Sequence, residues 1–312
     1  MLRALMRGDR KYEIGEGVMP DIEIRQAREE DREAVLAFCA HTWEWGDYID
    51  RVWDEWLRDP SGQLLVAVHD GRPVGILHLR MLNETDAWQE GMRVDPDYRR
   101  RGIARRLSLE AGAEAMRRGA AVVRLLTESD NTASIHMIEQ ARFRQVGAFV
   151  PHTAGPITSV PRHNIGLDEP TLATARDLDE IIDYLNVSNI FPAVGGLYYA
   201  GFTGYRISDR LLAEKIQAGQ LYILSRWGRL DGLAIAEPRG REQEKHLFIG
   251  YIDGTTESIS LIAYALRRKL AGMHLSQIRA AVPDLIMVRD AFTGAEYTWD
   301  GHTFYTYEKS LV

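Results

Sequence analysis

The chain has 312 residues, of which 45% are hydrophobic and 27% charged, and its formal net charge is -7 at pH 7. This length favours two globular domains, and the negative charge excludes the broad basic surface that general nucleic-acid binding requires. The single cysteine, Cys39, excludes an intramolecular disulfide, and no apolar run is long enough to span a membrane. We therefore expect a cytoplasmic protein that binds neither nucleic acid nor membranes.

The first elements follow from hydrophobic periodicity. Residues 1–20 mix charges with glycines and show no periodicity, so we predict a flexible extension there. Strict alternation predicts a strand at 22–25, and two amphipathic patterns predict helices at 29–40 and 52–57. The loop at 43–49, between these helices, is rich in aromatic and acidic residues.

A hairpin and a second set of elements come next. Asp70-Gly71 separates two apolar runs and predicts a β-hairpin, which a strand at 87–94 follows. From residue 103, apolar residues at intervals of four predict a long helix that ends at Gly119. With a strand at 121–126 and a helix at 134–141, the predicted order is β, α, α, β, β, β, α, β, α, a mixed α/β arrangement.

Three consecutive arginines, Arg99, Arg100 and Arg101, lead into Gly102 at the start of the long helix. The amides at the start of a helix have no intrahelical acceptor, and together with the helix dipole they attract anions. A glycine lets a phosphate approach the backbone closely. This pattern predicts a site for a ligand that carries a pyrophosphate, although a solvated, arginine-rich helix start has the same composition.

The spacing Arg99-x-x-Gly102-x-Ala104 resembles the acyl-CoA pyrophosphate loop of the GNAT superfamily of N-acetyltransferases. In that family the loop also follows the fourth strand and opens the third helix. A second motif, Asn131-x-x-Ser134 followed by Phe143, matches the helix that comes next, although Arg142 stands where glycine is usual in the family.

The resemblance implies that acetyl-CoA is the co-substrate and that no metal takes part. The strand before the loop would pair with the pantetheine arm through its backbone and polarise the thioester carbonyl. The residues assigned to the cofactor in this way are Met92, Arg93, Val94, Arg99, Arg100, Arg101, Gly102, Ile103, Ala104, Arg105, Asn131 and Ser134.

The resemblance also implies that an amine attacks acetyl-CoA directly within a ternary complex. A carboxylate must take a proton from this amine, and Glu90 occupies the position where the family often has its base, with Glu84 and Asp86 as alternatives. Glu90 also fits a surface glutamate at a strand edge. The family's usual acid is a tyrosine, but this sequence has Ile138 there, so another donor such as Tyr48, a residue of the second domain or water would protonate the thiolate.

The aromatic loop is the candidate acceptor site, with Trp43, Trp45, Asp47 and Tyr48 as its proposed contacts. Aromatic rings and carboxylates suit an ammonium group. The alternative is that the tryptophans pack on the core while the acids face water. A more distant likeness to the histidine N-alpha-acetyltransferase group is consistent with a free amino acid as acceptor.

A second copy of the domain follows a linker. Residues 151–165 have the proline, glycine and small polar residues of a linker. Six residues recur after it at one fixed spacing: Gly62, Gln63, Leu64, Gly71, Arg72 and Gly75 correspond in order to Gly219, Gln220, Leu221, Gly228, Arg229 and Gly232. The arginine loop does not recur, because residues 253–258 are acidic and polar instead.

The sequence thus predicts an α/β (α+β) fold of tandem acyl-CoA N-acyltransferase domains, each with a central mixed, mostly antiparallel sheet flanked by helices. The catalytic domain is expected at 21–150 and a degenerate copy at 166–312. The degenerate copy would serve packing, homodimerisation or closure of the acceptor site. The chain is expected to be an N-acetyltransferase for a small-molecule amine, and the alternative is a non-catalytic acyl-CoA sensor.

Overall fold

The computed structural model describes residues 22–40, 42, 46–157, 168–240 and 244–312. The predicted extension at 1–20 and residues 158–165 of the predicted linker lie outside the described residues.

The described residues form the predicted mixture of strands and helices. The strands are β1 (Ile22–Gln26), β2 (Gly62–His69), β3 (Arg72–Met81), β4 (Asp86–Val94), β5 (Val122–Glu128), β6 (Arg144–Ala154), β7 (Thr171–Leu172), β8 (Leu197–Ala200), β9 (Thr203–Arg206), β10 (Leu221–Arg226), β11 (Arg229–Arg239), β12 (His246–Gly254), β13 (Ile278–Pro283), β14 (Thr298–Trp299) and β15 (Phe304–Ser310). The helices are α1 (Arg32–Cys39), α2 (Ile49–Leu57), α3 (Ile103–Arg117), α4 (Thr132–Gln140), α5 (Leu178–Val187), α6 (Ile190–Ala193), α7 (Asp209–Gln217), α8 (Thr256–Leu270) and α9 (Ile286–Gly294).

The order of elements confirms the internal repeat. The first repeat runs β1, α1, α2, β2, β3, β4, α3, β5, α4, as predicted. In the second repeat, β10, β11, β12, α8, β13 and α9 correspond to β2, β3, β4, α3, β5 and α4. The second repeat also contains the hairpin β8–β9, which the sequence did not predict.

The described residues fall into two compact groups, one within residues 1–78 and 91–111 and the other comprising 79–90 and 112–312. In the first group the strand order is β1-β2-β3-β4, and β1 pairs with β2 in an antiparallel register. Helices α1 and α2 contribute Val35, Cys39 and Trp53 to a core that they share with Leu64 and Val66 of β2.

Cys39 lies in this core, with 1% of its surface exposed. Desolvation, together with the nearby carboxylate of Asp47, raises the pKa of its thiol to about 12. A buried thiol with a high pKa is inert as a nucleophile.

The second group contains a large, mostly antiparallel sheet. Its strand order is β4-β5-β15-β6-β13-β12-β11-β10-β7. The pairs β4–β5 and β12–β13 are parallel, whereas β15 is antiparallel to both of its neighbours. Helices α8 and α9 pack on this sheet through Ile259, Ile262 and Phe292.

The two repeats exchange strands within this sheet. Strand β15 of the second repeat lies between β5 and β6 of the first, and β6 in turn pairs with β13 of the second repeat. Because β6 extends to Ala154, it includes the first four residues of the predicted linker. The large sheet therefore contains strands of both repeats, and the predicted domain ranges 21–150 and 166–312 stay a prediction.

A buried ion network holds the exchanged strand. Arg124 on β5 is 2% exposed and donates to Asp86 Oδ1 of β4 at 2.5 Å and to Glu308 Oε2 of β15 at 2.8 Å. Arg144 reaches the other oxygen of Glu308 at 3.1 Å, but its side chain is 79% exposed. The buried cation thus neutralises two carboxylates from different strands.

No helix in the described ranges is long and apolar enough to cross a bilayer. Within those same ranges, no group of three or more His, Cys, Asp or Glu side chains is arranged to hold a metal ion.

The network generates a stability prediction. Replacing Arg124 by alanine leaves the buried carboxylate of Asp86 and the half-buried carboxylate of Glu308 without their shared cation, so the free energy of unfolding should fall by about 3–5 kcal/mol. Replacing the exposed Arg144, which shares Glu308, should cost less than about 1 kcal/mol. Urea unfolding of R124A and R144A measures both changes, and equal losses would show that burial of the network does not matter.

Candidate functional site

The arginine loop has the backbone geometry of an anion cradle. Arg100 and Gly102 have positive φ angles of 62° and 74°, so their amides turn out of the extended course of the chain. The first hydrogen bond of α3 runs from Arg106 N to Gly102 O at 3.0 Å. The amides of the helical residues before Arg106 therefore have no acceptor within the helix and point out of its N-terminal end. The side chains of Arg99, Arg100 and Arg101 are exposed around this end.

Two polar contacts fix the loop at its start. Asp95 is 4% exposed, and its carboxylate accepts hydrogen bonds from Asp97 N at 3.0 Å and from Arg72 Nη2 at 3.2 Å. Arg101 donates to the carbonyl of Asp97 at 3.1 Å, and its guanidinium lies 4.8 Å from the centre of the Tyr98 ring. This role of Asp95 was not predicted from the sequence.

Close packing fixes the helix that follows the loop. A Cβ on Gly75 of β3 would lie 3.1 Å from Ile103 Cγ2 and 3.2 Å from the carbonyl oxygen of Arg93. Only a glycine therefore lets α3 approach β3 this closely. Arg106 donates to the carbonyl of Ile22, which distinguishes it from the exposed Arg105.

Strand β4 changes conformation at Gly91. Its φ is +69°, and a Cβ there would lie 2.4 Å from Trp56 Cζ3, so this position requires glycine. The parallel pairing of β4 with β5 runs from Asp86 and Val122 to Gln89 and Leu125. The predicted thioester-binding residues, Met92 to Val94, follow directly after Gly91 and are half-buried.

The described part of the aromatic loop is tied to β4. Asp47 accepts two hydrogen bonds from Arg93, at 2.8 Å from Nε and 3.3 Å from Nη2, and its side chain is 4% exposed. The Arg93 guanidinium also lies 5.2 Å from the centre of the Tyr48 ring. Trp43 and Trp45 lie outside the described residues. The carboxylate of Asp47 thus binds the guanidinium of Arg93. Its contact with the acceptor stays a prediction.

Glu90 lies beside an arginine in the second group. Its side chain is 23% exposed, and Oε1 lies 3.8 Å from Nε of Arg80 on β3. Arg80 also donates from Nη2 to Thr203 Oγ1 at 3.0 Å. Asp86, an alternative base in the sequence, is buried and bound to Arg124, whereas Glu84 is exposed.

The unpredicted hairpin β8–β9 brings Thr203 to Arg80. Gly204 lies against Trp88, because a Cβ on this glycine would be 3.4 Å from Cζ3 of the Trp88 ring. Tyr199 on β8 shares a hydrogen bond of 2.6 Å with Thr306 of β15. The second repeat therefore supplies side chains next to Glu90.

The second cofactor motif lies at the start of α4. Asn131 caps this helix, and its side-chain oxygen accepts from Ser134 N at 3.1 Å. Ile138 is 2% exposed, so the position that bears the family's usual tyrosine belongs to the core here. His136 is exposed and shares a hydrogen bond with Gln140.

The match to the family covers the first repeat. The sequence model of the acetyltransferase (GNAT) family matches residues 25–143. These residues are similar to a GNAT domain. Mycothiol acetyltransferase from Clavibacter sepedonicus is 35% identical over 108 residues, which are 34% of this chain and 34% of that protein. The match thus spans about a third of that relative.

Solved structures share the fold over most of the chain. A GCN5-related N-acetyltransferase from Sphaerobacter thermophilus covers 94% of this chain and 97% of its own, with a TM-score of 0.59 and 12% identity. A tandem GNAT protein from the clavulanic acid biosynthesis pathway covers 94% of this chain and 99% of its own, with a TM-score of 0.50 and 14% identity. The predicted tandem GNAT fold is confirmed.

The second GNAT-like copy has carboxylates where the first has its arginine loop. Asp231 of β11 and Glu257 in the first turn of α8 accept hydrogen bonds from Arg226 at 2.8 and 3.0 Å. Ser258 in the first turn of α8 also donates to Asp231. These carboxylates occupy the helix start and would repel a pyrophosphate.

In the second copy, strand β8 packs directly against β12. The pairing of β12 with β13 runs to Ile249 and Ala280, and a Cβ on the next residue, Gly250, would lie 2.0 Å from the carbonyl oxygen of Tyr199. Strand β8 therefore lies directly against β12 just after its paired segment.

Asp253 of the second copy generates a prediction about pH. It is 2% exposed, and its burial raises the pKa of the carboxyl, although hydrogen bonds from Ser188 and Tyr251 partly offset this. A raised pKa in the folded state means that the ionised form costs stability at neutral pH. This cost shrinks as the pH falls below the folded-state pKa and is gone below the lower pKa of the unfolded state.

Asp253→Asn keeps an acceptor oxygen and removes the charge. The variant should be more stable than the wild type at neutral pH, and the difference should shrink in mildly acidic buffer. Urea unfolding across this pH range measures it. A variant that is less stable at neutral pH, or whose difference does not depend on pH, would contradict the expectation.

Proposed function

We propose that the chain is an N-acetyltransferase that moves the acetyl group of acetyl-CoA to the primary amine of a small molecule or amino acid. The observation that carries this proposal is the loop at the start of α3, where three exposed arginines surround a glycine with positive φ. A pyrophosphate binds such a helix start through backbone amides and cationic side chains. The match of residues 25–143 to the GNAT family supports the same function.

In this proposal the cofactor is bound by residues along β4, α3 and α4. The backbones of Met92, Arg93 and Val94 pair with the pantetheine arm, and Asn131 and Ser134 border it. Arg99 to Arg105 hold the pyrophosphate. The side chain of Arg93 supports this arrangement. It donates two hydrogen bonds to Asp47, and these hold the segment of β4 that is proposed to contact the thioester.

Glu90 is the proposed general base. It immediately precedes Gly91 and the thioester-binding backbone. Its half-buried carboxylate can take a proton from the acceptor's ammonium directly or through water, and the neutral amine then attacks the thioester. Attack on the thioester carbonyl forms a tetrahedral oxyanion, which the β4 amides stabilise, and its collapse releases the CoA thiolate. Since Ile138 has no proton to give, Tyr48, a residue of the second repeat or water protonates the thiolate.

One cofactor site per chain follows from the contrast between the repeats. In the second copy, Asp231 and Glu257 lie at the helix start, and β8 occupies the space beside Gly250. The relative named mycothiol acetyltransferase supports a small-molecule acceptor for the first copy.

The arginine loop can be tested by cofactor binding. The R99Q/R100Q/R101Q variant removes three cations that contact the pyrophosphate, so its affinity for CoA should fall at least about 100-fold. Calorimetric titration with CoA measures this. R117Q removes an arginine at the other end of the same helix, where it is 59% exposed and paired with Glu114, and should leave the affinity unchanged. Equal affinity in the triple variant would exclude the loop as the pyrophosphate site.

The base can be tested by kinetics. E90Q should lower kcat about 100- to 10,000-fold, because the glutamine cannot accept a proton, while the affinity for CoA stays at the wild-type level. Thiol release from acetyl-CoA with a panel of amines measures kcat. A loss in E84Q instead of E90Q would assign the base to the exposed alternative. Binding of acetyl-CoA by the wild type without turnover of any amine would favour the non-catalytic sensor.

A further inference from the structure

The guanidinium of Arg80 lies beside the proposed base, Glu90, and has no role in the proposed acetyl-transfer mechanism. It lies on β3, its side chain is 28% exposed, and its Nε is 3.8 Å from Glu90 Oε1. Charged hydrogen bonds between a guanidinium and a carboxylate are shorter, at about 2.7–2.9 Å. The two charges thus lie side by side without a hydrogen bond from Nε, which is buried and has no acceptor among the described residues.

Thr203 sets the direction of this guanidinium. Its hydroxyl is 7% exposed and accepts from Arg80 Nη2 at 3.0 Å. The hairpin β8–β9 that carries Thr203 is anchored by Tyr199 on Thr306 and by the close approach of Gly204 to Trp88. The second repeat therefore holds Arg80 in place, and the remaining N–H groups of the guanidinium can meet a ligand.

The adjacent charges of Arg80 and Glu90 mirror those of a zwitterion. In an α-amino acid the ammonium and the carboxylate are attached to the same carbon, so a site that binds both needs a cation next to an anion. If Glu90 turns to the ammonium of the acceptor, Arg80 loses its neighbouring carboxylate. A half-buried guanidinium without a counter-ion is unfavourable, and a carboxylate on the acceptor would restore the balance.

We infer that the acceptor is an α-amino acid with a free carboxylate, which Arg80 binds beside Glu90 while Thr203 positions the guanidinium. This inference rests on the proposed N-acetyltransferase activity and narrows its acceptor to one chemical class. A guanidinium binds a carboxylate through two parallel hydrogen bonds, which an uncharged carboxamide cannot reproduce.

The experiment compares each of the common amino acids with its carboxamide as acceptor, with thiol release from acetyl-CoA as the readout. The carboxamide keeps the same amine, and this amine is less basic because the neighbouring negative charge is gone. Intrinsic reactivity at neutral pH therefore favours the amide. We expect the wild type to prefer the acid by at least about 100-fold in kcat/KM, since charged hydrogen bonds would be lost with the amide.

Three variants separate recognition from general damage. R80Q should raise KM for the amino acid about 10- to 100-fold and leave kcat/KM for the amide at the wild-type level. T203V should change the same ratio in the same direction by a smaller factor, because Arg80 keeps its charge. R210Q removes an arginine that is 86% exposed and bound to Glu214. It should leave kcat/KM unchanged for both the amino acid and the amide.

The outcomes distinguish this inference from the activity on which it rests. Equal turnover of acids and amides by the wild type, or preference for the amides, would overturn the carboxylate site while upholding the acetyltransferase. An equal loss on both substrates in R80Q would also overturn it and make Arg80 a positioning residue for Glu90. Thiol release with none of the acids or amides, although acetyl-CoA binds, would overturn both proposals.

Discussion

The pairing of β15 with β5 and β6 is the constraint on which most of the structure depends. A strand in the interior of a sheet satisfies its backbone groups on both sides, and here those two sides belong to the first repeat. The same strand holds the hairpin β8–β9 through Thr306 and the segment before Asn131 through the hydrogen bond from Ser129 N to Thr303 O at 2.8 Å. One strand thus orders both the neighbourhood of Glu90 and the start of α4.

The two repeats show how similar folds acquire different chemistry. Both contain a hairpin, a fourth strand and a helix that begins just after it, and in both the close approach of that helix requires a glycine, Gly75 in one and Gly232 in the other. The helix start is surrounded by arginines in the first repeat, whereas Asp231 and Glu257 lie there in the second. Function therefore depends on the residues at the helix start and not on the fold.

The sequence predicted what local patterns determine. The arginine loop, the hairpin at Asp70-Gly71 and the helix from Ile103 depend on turn chemistry and periodicity, and the structure has each of them. The exchange of β15 could not be predicted, because pairing between residues more than 150 apart leaves no periodic signal. The neighbours Arg80 and Thr203 were missed for the same reason. Arg80 lies near the end of the apolar strand β3 and Thr203 lies in a short hairpin, and only tertiary structure brings them together.

The strand exchange has a consequence for biosynthesis. Strand β5 has been made long before residues 304–310 leave the ribosome, yet its edge towards β6 is filled only by β15. Until then this edge is an unpaired template for association with other chains, and its closure requires contacts of very high sequence separation, which form slowly. The sheet around β5 and β6 is therefore complete only when the second repeat has been synthesised.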